Sequence, residues 1–333
     1  MNKQNSNLSS TKKAILEKWK RGKFQANTIP KRQTFNNIPL SFSQKRLWFI
    51  DQLYHGSSFY NIPIAFHIEG QLKITALQQS LNEILKRHEI WRTNFTLVNG
   101  EPVQKVAPNL TWNLPIINIE HFSGKDWEEE VKQLVAKEAR KPFNLAKELL
   151  VRATLLRLSE EEYVLLLTMH HIITDGWSCG VFLRELSTLY AAFSTNQPSP
   201  LPELPIQYAD FTIWQRDRTQ GEFLATKLNY WKQQLSGDLT VLELPTDPPR
   251  PSVTTFAGAK QYFTFSAPLT DTLRQLSQRE DATLFMSLLA AFNILLYRYT
   301  NQEDIKNVAN KQILQATISS RISSLLTMKQ VNY

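Results

Sequence analysis

Cysteine is nearly missing from this chain of 333 residues, with Cys179 its single example. One thiol excludes an intrachain disulfide, which fits a reducing, cytoplasmic compartment. No apolar run approaches the roughly 18 residues that a membrane helix needs, so no membrane partner is expected. The polar, lysine-bearing N-terminus also lacks a signal-peptide core. There is no Gly-rich phosphate loop and no internal repeat. Acidic residues are scarce at one end: residues 1–46 hold eleven Lys and Arg against Glu17 alone. That segment carries +10, leaving −2 for the rest of a chain whose net charge is +8. A basic tail can contact nucleic acid or an acidic protein surface. Aromatics are sparse in it and no nucleic-acid-binding motif follows, so a solvated or protein-docking segment is expected and nucleic acid is not.

What is present describes a soluble globular protein, 42% apolar and 11% aromatic, long enough for one large domain or two ordinary ones. Residues 11–22 read as a short basic helix stopped at Gly22, followed by a polar linker to about Asn37. The folded body then begins near Ile38. Ser41 to Tyr54 reads as a helical region and Asn61 to Ile68 as a strand, with Pro63 arguing for an edge or irregular one. Thr75 is placed to cap a helix carrying Leu77, Leu81, Ile84, Leu85 and His88. Asn99-Gly100, between Trp91–Val98 and Glu101–Val106, is a strong hairpin signal. A charged amphipathic helix over Lys125–Lys141 stops at Pro142. Leu149–Leu158 and Tyr163–Ile173 read as strands, the second apolar enough to be buried on both faces. Helices are expected over Ser178–Phe193 with Ser178 as cap, and over 207–218, 221–236 and 283–300; Gln261–Phe265 reads as a short strand. This order is mixed α/β, of the α+β kind with hairpins, and argues against a doubly wound parallel sheet.

The stretch MHHIITDGWSCG, Met169–Gly180, carries two overlapping patterns. Gly176-Trp-Ser-Cys-Gly180 fits the G-x-S-x-G nucleophile turn of hydrolases, but there the histidine follows the serine. All six histidines precede Ser178, so the serine is better read as a helix cap and Cys179 as a core residue. A metal site fails too, because adjacent strand residues point to opposite faces and no further His/Cys cluster completes a ligand set. The same alternation favours a histidine site. One of His170 and His171 enters the core, and the other, His171, stands at the strand end where it can take or orient a proton. Asp175 is placed to fix the turn, and Gly176 to bring a backbone N–H close to a substrate. By itself H-x-x-x-D-G is a modest signal.

Other stretches add to it. SFSQKRLWFIDQL (Ser41–Leu53), RHEIWRTNF (Arg87–Phe95), MHHIITDGWS (Met169–Ser178) and YADFTIWQR (Tyr208–Arg216) resemble, in order and spacing, the first four motifs of the condensation domain of nonribosomal peptide synthetases. YNIPIAF (Tyr60–Phe66), ELPTDPPRP (Glu243–Pro251) and the run Thr283–Ile305 are also similar to that family. The N-terminal segment resembles the basic helix and linker found upstream of such domains.

The resemblance implies a two-lobed fold like chloramphenicol acetyltransferase, with a tunnel between lobes. Two carrier proteins would present thioesters on phosphopantetheine arms, and the acceptor amine would attack the donor carbonyl to form an amide. It assigns His171 as the histidine facing the tunnel and Gly176 to an oxyanion-donor position. His170 becomes structural, Asp175 pairs with Arg92, and Arg87 and Trp214 are scaffold positions. No cofactor is bound tightly and no metal is required. The expected partners are carrier proteins and other synthetase modules. The resemblance stops near Ile305, which leaves the first lobe complete and the second partial. The expected organisation is therefore 1–37 basic helix and linker, 38–182 first lobe, 183–305 partial second lobe, and 306–333 a divergent tail of truncated or frameshifted appearance. Two functions follow: an amide-forming condensation enzyme, or an inactive fragment that only binds carrier proteins.

Overall fold

The apolar run YVLLLTMHHII dictates the centre of the fold. In the computed structural model it forms β7 (Glu162–His170), buried at every position after the first. The structure describes residues 28–108, 110–119, 126–234, 236–237, 242–246, 261, 263–302 and 328–330. The basic helix expected over 11–22 lies outside these residues.

A five-stranded sheet holds β7 at its middle, in the order β5 (Ile116–Asn118), β6 (Val151–Arg157), β7, β2 (Asn61–Glu69) and β8 (Met328–Gln330). All pairs are antiparallel except β5 with β6. Successive side chains of β7 go to opposite faces, and each face is covered. Leu165 and Leu167 join the main core with Leu77, Leu81 and Leu85 of α2 (Ile74–Arg87) and Leu186 and Leu189 of α4 (Gly176–Ser194). Val164 and Leu166 join a second cluster with Val131 of α3 (Asp126–Arg140). Each fully buried Leu is worth about 1.5–3 kcal/mol, which makes this sandwich the main stabilising term of the unit.

Pro63 lies inside β2 after all, in register with Thr168. The bond from His171 N–H to the Tyr60 carbonyl fixes the even-numbered residues of β2 as the hydrogen-bonded ones. The missing N–H of Pro63 therefore points away from β7 and costs the ladder nothing.

A second sheet, in the order β1 (Ile38–Pro39), β4 (Glu101–Val106) and β3 (Thr93–Val98), contains the expected hairpin. Asn99 (φ 52°) and Gly100 (φ 81°) both take the left-handed conformation that a tight two-residue turn needs. Helix α1 (Phe42–Leu53) starts from a Ser41–Gln44 capping box.

Several expectations are corrected. Thr75 is the second residue of α2 rather than its cap; Lys73 occupies the cap without a side-chain bond. The described residues of 261–265 form no strand, whereas an unanticipated helix, Ala267–Arg279, follows them. A lobe boundary at 182/183 would cut α4, whose Leu186 and Leu189 are bound into the first core. The first compact unit instead continues through α5 (Tyr208–Arg218) to Gln220 and takes in strand β8.

Nor does the body begin at Ile38. Arg32 donates from Nη1 to Asp210 Oδ1 at 2.9 Å, from Nη2 to Glu89 Oε1 at 2.9 Å, and from its backbone N–H to Asp210 Oδ1 at 3.2 Å. With side-chain exposures of 5% for Arg32 and 4% for Asp210, this is a buried anchor. The linker is thus folded into the unit at its C-terminal end.

The second unit, Gly221–Arg321, contains α6 (Gly221–Gln234), α7 (Ala267–Arg279) and α8 (Leu284–Thr300). Thr283 caps α8 by accepting from the Met286 N–H at 3.2 Å. Much of α8 is apolar and exposed, including Met286, Ile294, Leu295 and Tyr299. No single helix among the described residues is long and apolar enough to cross a membrane.

Candidate active site

Strand β7 ends at His170, and the chain turns through His171–Ile173 into α4. The two histidines keep the alternation of the strand. His170 N–H donates to Leu150 on the β6 side at 2.9 Å, and His171 N–H to Tyr60 on the β2 side at 2.8 Å.

His170 is 4% exposed and packs edge-on against Phe143, with ring centroids 6.2 Å apart. Its Nδ1 accepts the Ile172 N–H at 3.1 Å, so that nitrogen carries no proton. Burial, reinforced by the neighbouring His171, lowers its pKa from 6.5 to about 4, because desolvation penalises the imidazolium. His170 is therefore a neutral core residue.

His171 is half-buried and holds the opposite tautomer. Its Nδ1 lies 2.7 Å from the Thr174 carbonyl, which can only accept, so Nδ1 carries the proton. In the neutral imidazole, Nε2 is then the nitrogen that can accept. One turn thus sets a buried imidazole and a half-buried one in complementary protonation patterns.

The cap of α4 is Asp175, not Ser178. Asp175 Oδ1 accepts from the Ser178 N–H at 2.9 Å and from its hydroxyl at 2.7 Å. A carboxylate satisfies the free N–H groups of a helix start better than a hydroxyl, because the helix dipole adds to the bond. Gly176 is the first residue of α4, and exposed Trp177 the second. Cys179 packs half-buried against the core, where desolvation leads the causes that push its thiol pKa up.

Arg92 donates from Nη1 to the Ala107 carbonyl, bracing the base of the β3–β4 hairpin. Arg87 grips α4 further along, from Nε to Glu185 Oε1 at 3.1 Å, and reaches the Pro202 carbonyl from Nη1 at 2.5 Å. His88 Nε2 meets the other Glu185 oxygen at 2.6 Å. Burial would raise Glu185, but the hydrogen bonds and charges of His88 and Arg87 outweigh it and hold the carboxyl below its ordinary value. Trp214 lies on α5 beside Phe211, 6.0 Å between centroids, with Arg218 over its ring at 5.2 Å.

The structure thus gathers His170, His171, Asp175 and Gly176 into one turn, and spreads Arg87, Arg92 and Trp214 over the surrounding framework. Tyr60, Glu185 and Arg32 were not anticipated. Each is legible only once the pairing of distant segments is known. A cleft of about 400 Å³ lies elsewhere, between Leu40, Lys45, Val103 and Arg216. It contains none of the histidine-turn residues, so the turn rather than that cleft is the candidate site. Among the described residues no group of three or more His, Cys, Asp or Glu could hold a metal ion.

Comparison with known proteins gives this geometry a family. The model of the condensation domain matches residues 35–308. The chain belongs to the condensation-domain family. This condensation domain is 48% identical over 268 residues to one of the linear gramicidin synthase chains of Brevibacillus parabrevis, covering 80% of this chain and 5% of that protein. Among solved structures it resembles the X-domain from teicoplanin biosynthesis, with a TM-score of 0.70, 26% identity, and coverage of 82% of this chain and 59% of that one. It also resembles the SgcC5 protein from Streptomyces globisporus, with a TM-score of 0.64, 28% identity, and coverage of 80% and 61%. The condensation domain therefore spans about a twentieth of that synthase and about three fifths of the solved chains it matches.

Proposed function

We propose that this condensation domain forms an amide between two carrier-bound thioesters, with His171 acting on the attacking amine. The observation that carries this reading is the His171 tautomer: Nδ1–H is spent on Thr174, and Nε2 is left as an acceptor. The amine nitrogen adds to the donor thioester carbonyl as Nε2 takes or holds its proton, and the C–N bond forms. Collapse of the tetrahedral oxyanion then breaks the C–S bond, and the departing thiolate receives a proton. A thioester is already activated, so placement of an uncharged amine matters more than a covalent nucleophile. The Gly176 N–H, at the start of α4, is suited to meet the oxyanion. His170 serves as a neutral wall, and Arg87, Arg92 and Trp214 as framework.

The carriers, each with its phosphopantetheine arm, would be separate domains or modules in a cytoplasmic synthetase. One docking face is offered by α1. Phe42, Arg46, Phe49 and Leu53 are spaced i, i+4, i+7, i+11 on the side opposite buried Leu47, and Phe49 and Leu53 are 57% and 59% exposed. A helix apolar on both sides calls for a cover. With Lys45 and Arg46 on this helix, an apolar helix flanked by carboxylates on the carrier is its complement.

Single-turnover reaction with two loaded carrier proteins tests the proposal. Dipeptidyl product is expected from the wild type and not from a folded His171→Ala variant. Full product from that variant would remove His171 from the chemistry. A second reading, a carrier-binding fragment without activity, draws on the exposed apolar side of α8; carrier binding without product from the wild type would establish it.

A further inference from the structure

Tyr60 has no part in the chemistry above, yet it stands opposite His171. The ladder that pairs Asn61 with His170 continues one step, where the His171 N–H donates to the Tyr60 carbonyl at 2.8 Å. Directly opposed residues of an antiparallel pair send their side chains to the same face. The Tyr60 ring centroid lies 6.3 Å from the His171 imidazole with the planes inclined at 59°, and 6.3 Å from His170 at 60°.

The ring is backed by fixed structure. Tyr60 is half-buried against the main core. Its neighbour Asn61 donates from Nδ2 to the carbonyls of Ala139 and Lys141, at 2.8 and 2.9 Å, which fastens β2 to the end of α3. His171 is less well held by its own segment, because it lies past the end of β7. Its ring is held by the bond to Thr174, which rotation about χ1 or χ2 would break. An aromatic ring on the same face, 6.3 Å away between centroids, stands in the way of such a rotation.

We propose that Tyr60 is a positioning residue: its ring holds the His171 imidazole in the orientation that keeps Nδ1–H on Thr174 and presents Nε2 outward. The catalytic importance of this rests on the proposed role of His171, but the orientation itself does not. The inference is about packing, so Tyr60→Phe preserves it and Tyr60→Ala does not.

Nitrogen-15 NMR of the imidazoles, which distinguishes Nδ1–H from Nε2–H tautomers, is the test, with thermal unfolding run in parallel. Wild type and Tyr60→Phe should show His171 as a single Nδ1–H tautomer. Tyr60→Ala should remain folded and show a mixture. A single Nδ1–H tautomer in folded Tyr60→Ala would overturn the proposal. Should the alanine variant unfold, Tyr60→Leu is read in the same way, a mixture supporting the proposal and a single tautomer overturning it. Product assays on the same proteins separate this inference from the functional one. With an active wild type, Tyr60→Ala should lose roughly 10²-fold in kcat at little changed KM, the scale of a catalytic group displaced by about 1 Å. With an inactive wild type, the tautomer result stands while the functional reading fails.

Discussion

Acidification should destabilise the first unit through His170. The imidazole is 4% exposed, and its pKa falls from 6.5 in the unfolded chain to about 4 in the folded one, chiefly by burial and then by the neighbouring His171. The unfolded chain therefore takes up a proton first as pH drops. Stability is fully present above pH 6.5, declines from there to about pH 4, and levels off below. At about 1.4 kcal/mol per pH unit, the whole window removes about 3 kcal/mol. Glu185 acts in a different range. Its carboxyl is held below the ordinary 4.5, so its contribution is present above 4.5 and lost only below it. Urea unfolding between about pH 7 and about pH 5, followed by tryptophan fluorescence, thus isolates the histidine. The control is His170→Asn, which retains an acceptor for the Ile172 N–H but does not titrate. Wild type should lose stability against this variant as pH falls, by about 2 kcal/mol at about pH 5. Parallel curves for the two proteins would refute the claim that His170 is held neutral.

Three further outcomes are expected. Arg32→Ala leaves the Asp210 carboxylate buried beside an empty anchor and should cost about 3–5 kcal/mol, measured by urea unfolding; Arg32→Lys, a point charge that cannot span both acids, should recover little of it. Asp175→Ala should lose about 1 kcal/mol from the α4 cap, and Asp175→Asn only a fraction of that, in the same assay. Phe49→Asp and Leu53→Asp should each weaken binding of a carrier protein in titration calorimetry while the melting temperature stays near that of wild type; unchanged affinity in both would remove α1 as the docking face.

Where a segment specifies itself, the sequence was sufficient. Asn99-Gly100 demands two left-handed residues and forms the hairpin wherever it is placed. The run at 163–169 has no polar face, so both sides had to be covered. Helix ends were harder to read, because Ser178 and Asp175 are both good caps and the choice depends on where β7 releases the chain. The helix over 267–279 did carry signals, with Pro268 in its first turn and Leu269, Leu273 and Leu276 at helical spacing. The alternation at 261–265 looked like a strand but found no partner among the described residues. The candidate site was legible as a turn and as a division of labour between two histidines. The tautomers were not, because they depend on which carbonyl and which N–H the turn brings within reach. The bond from Arg92 to the Ala107 carbonyl was not legible either, because it depends on the register of the β3–β4 hairpin.

The Arg32 anchor also changes how far anything attached upstream can travel. A tether counted from Ile38 would have about six more free residues than one counted from Arg32. At about 3.3–3.6 Å per extended residue, fixing that stretch shortens the leash by roughly 20 Å. An upstream domain would therefore sweep a smaller volume around this one, at a higher local concentration. Releasing Arg32 would lengthen its reach without altering a single residue of the histidine turn.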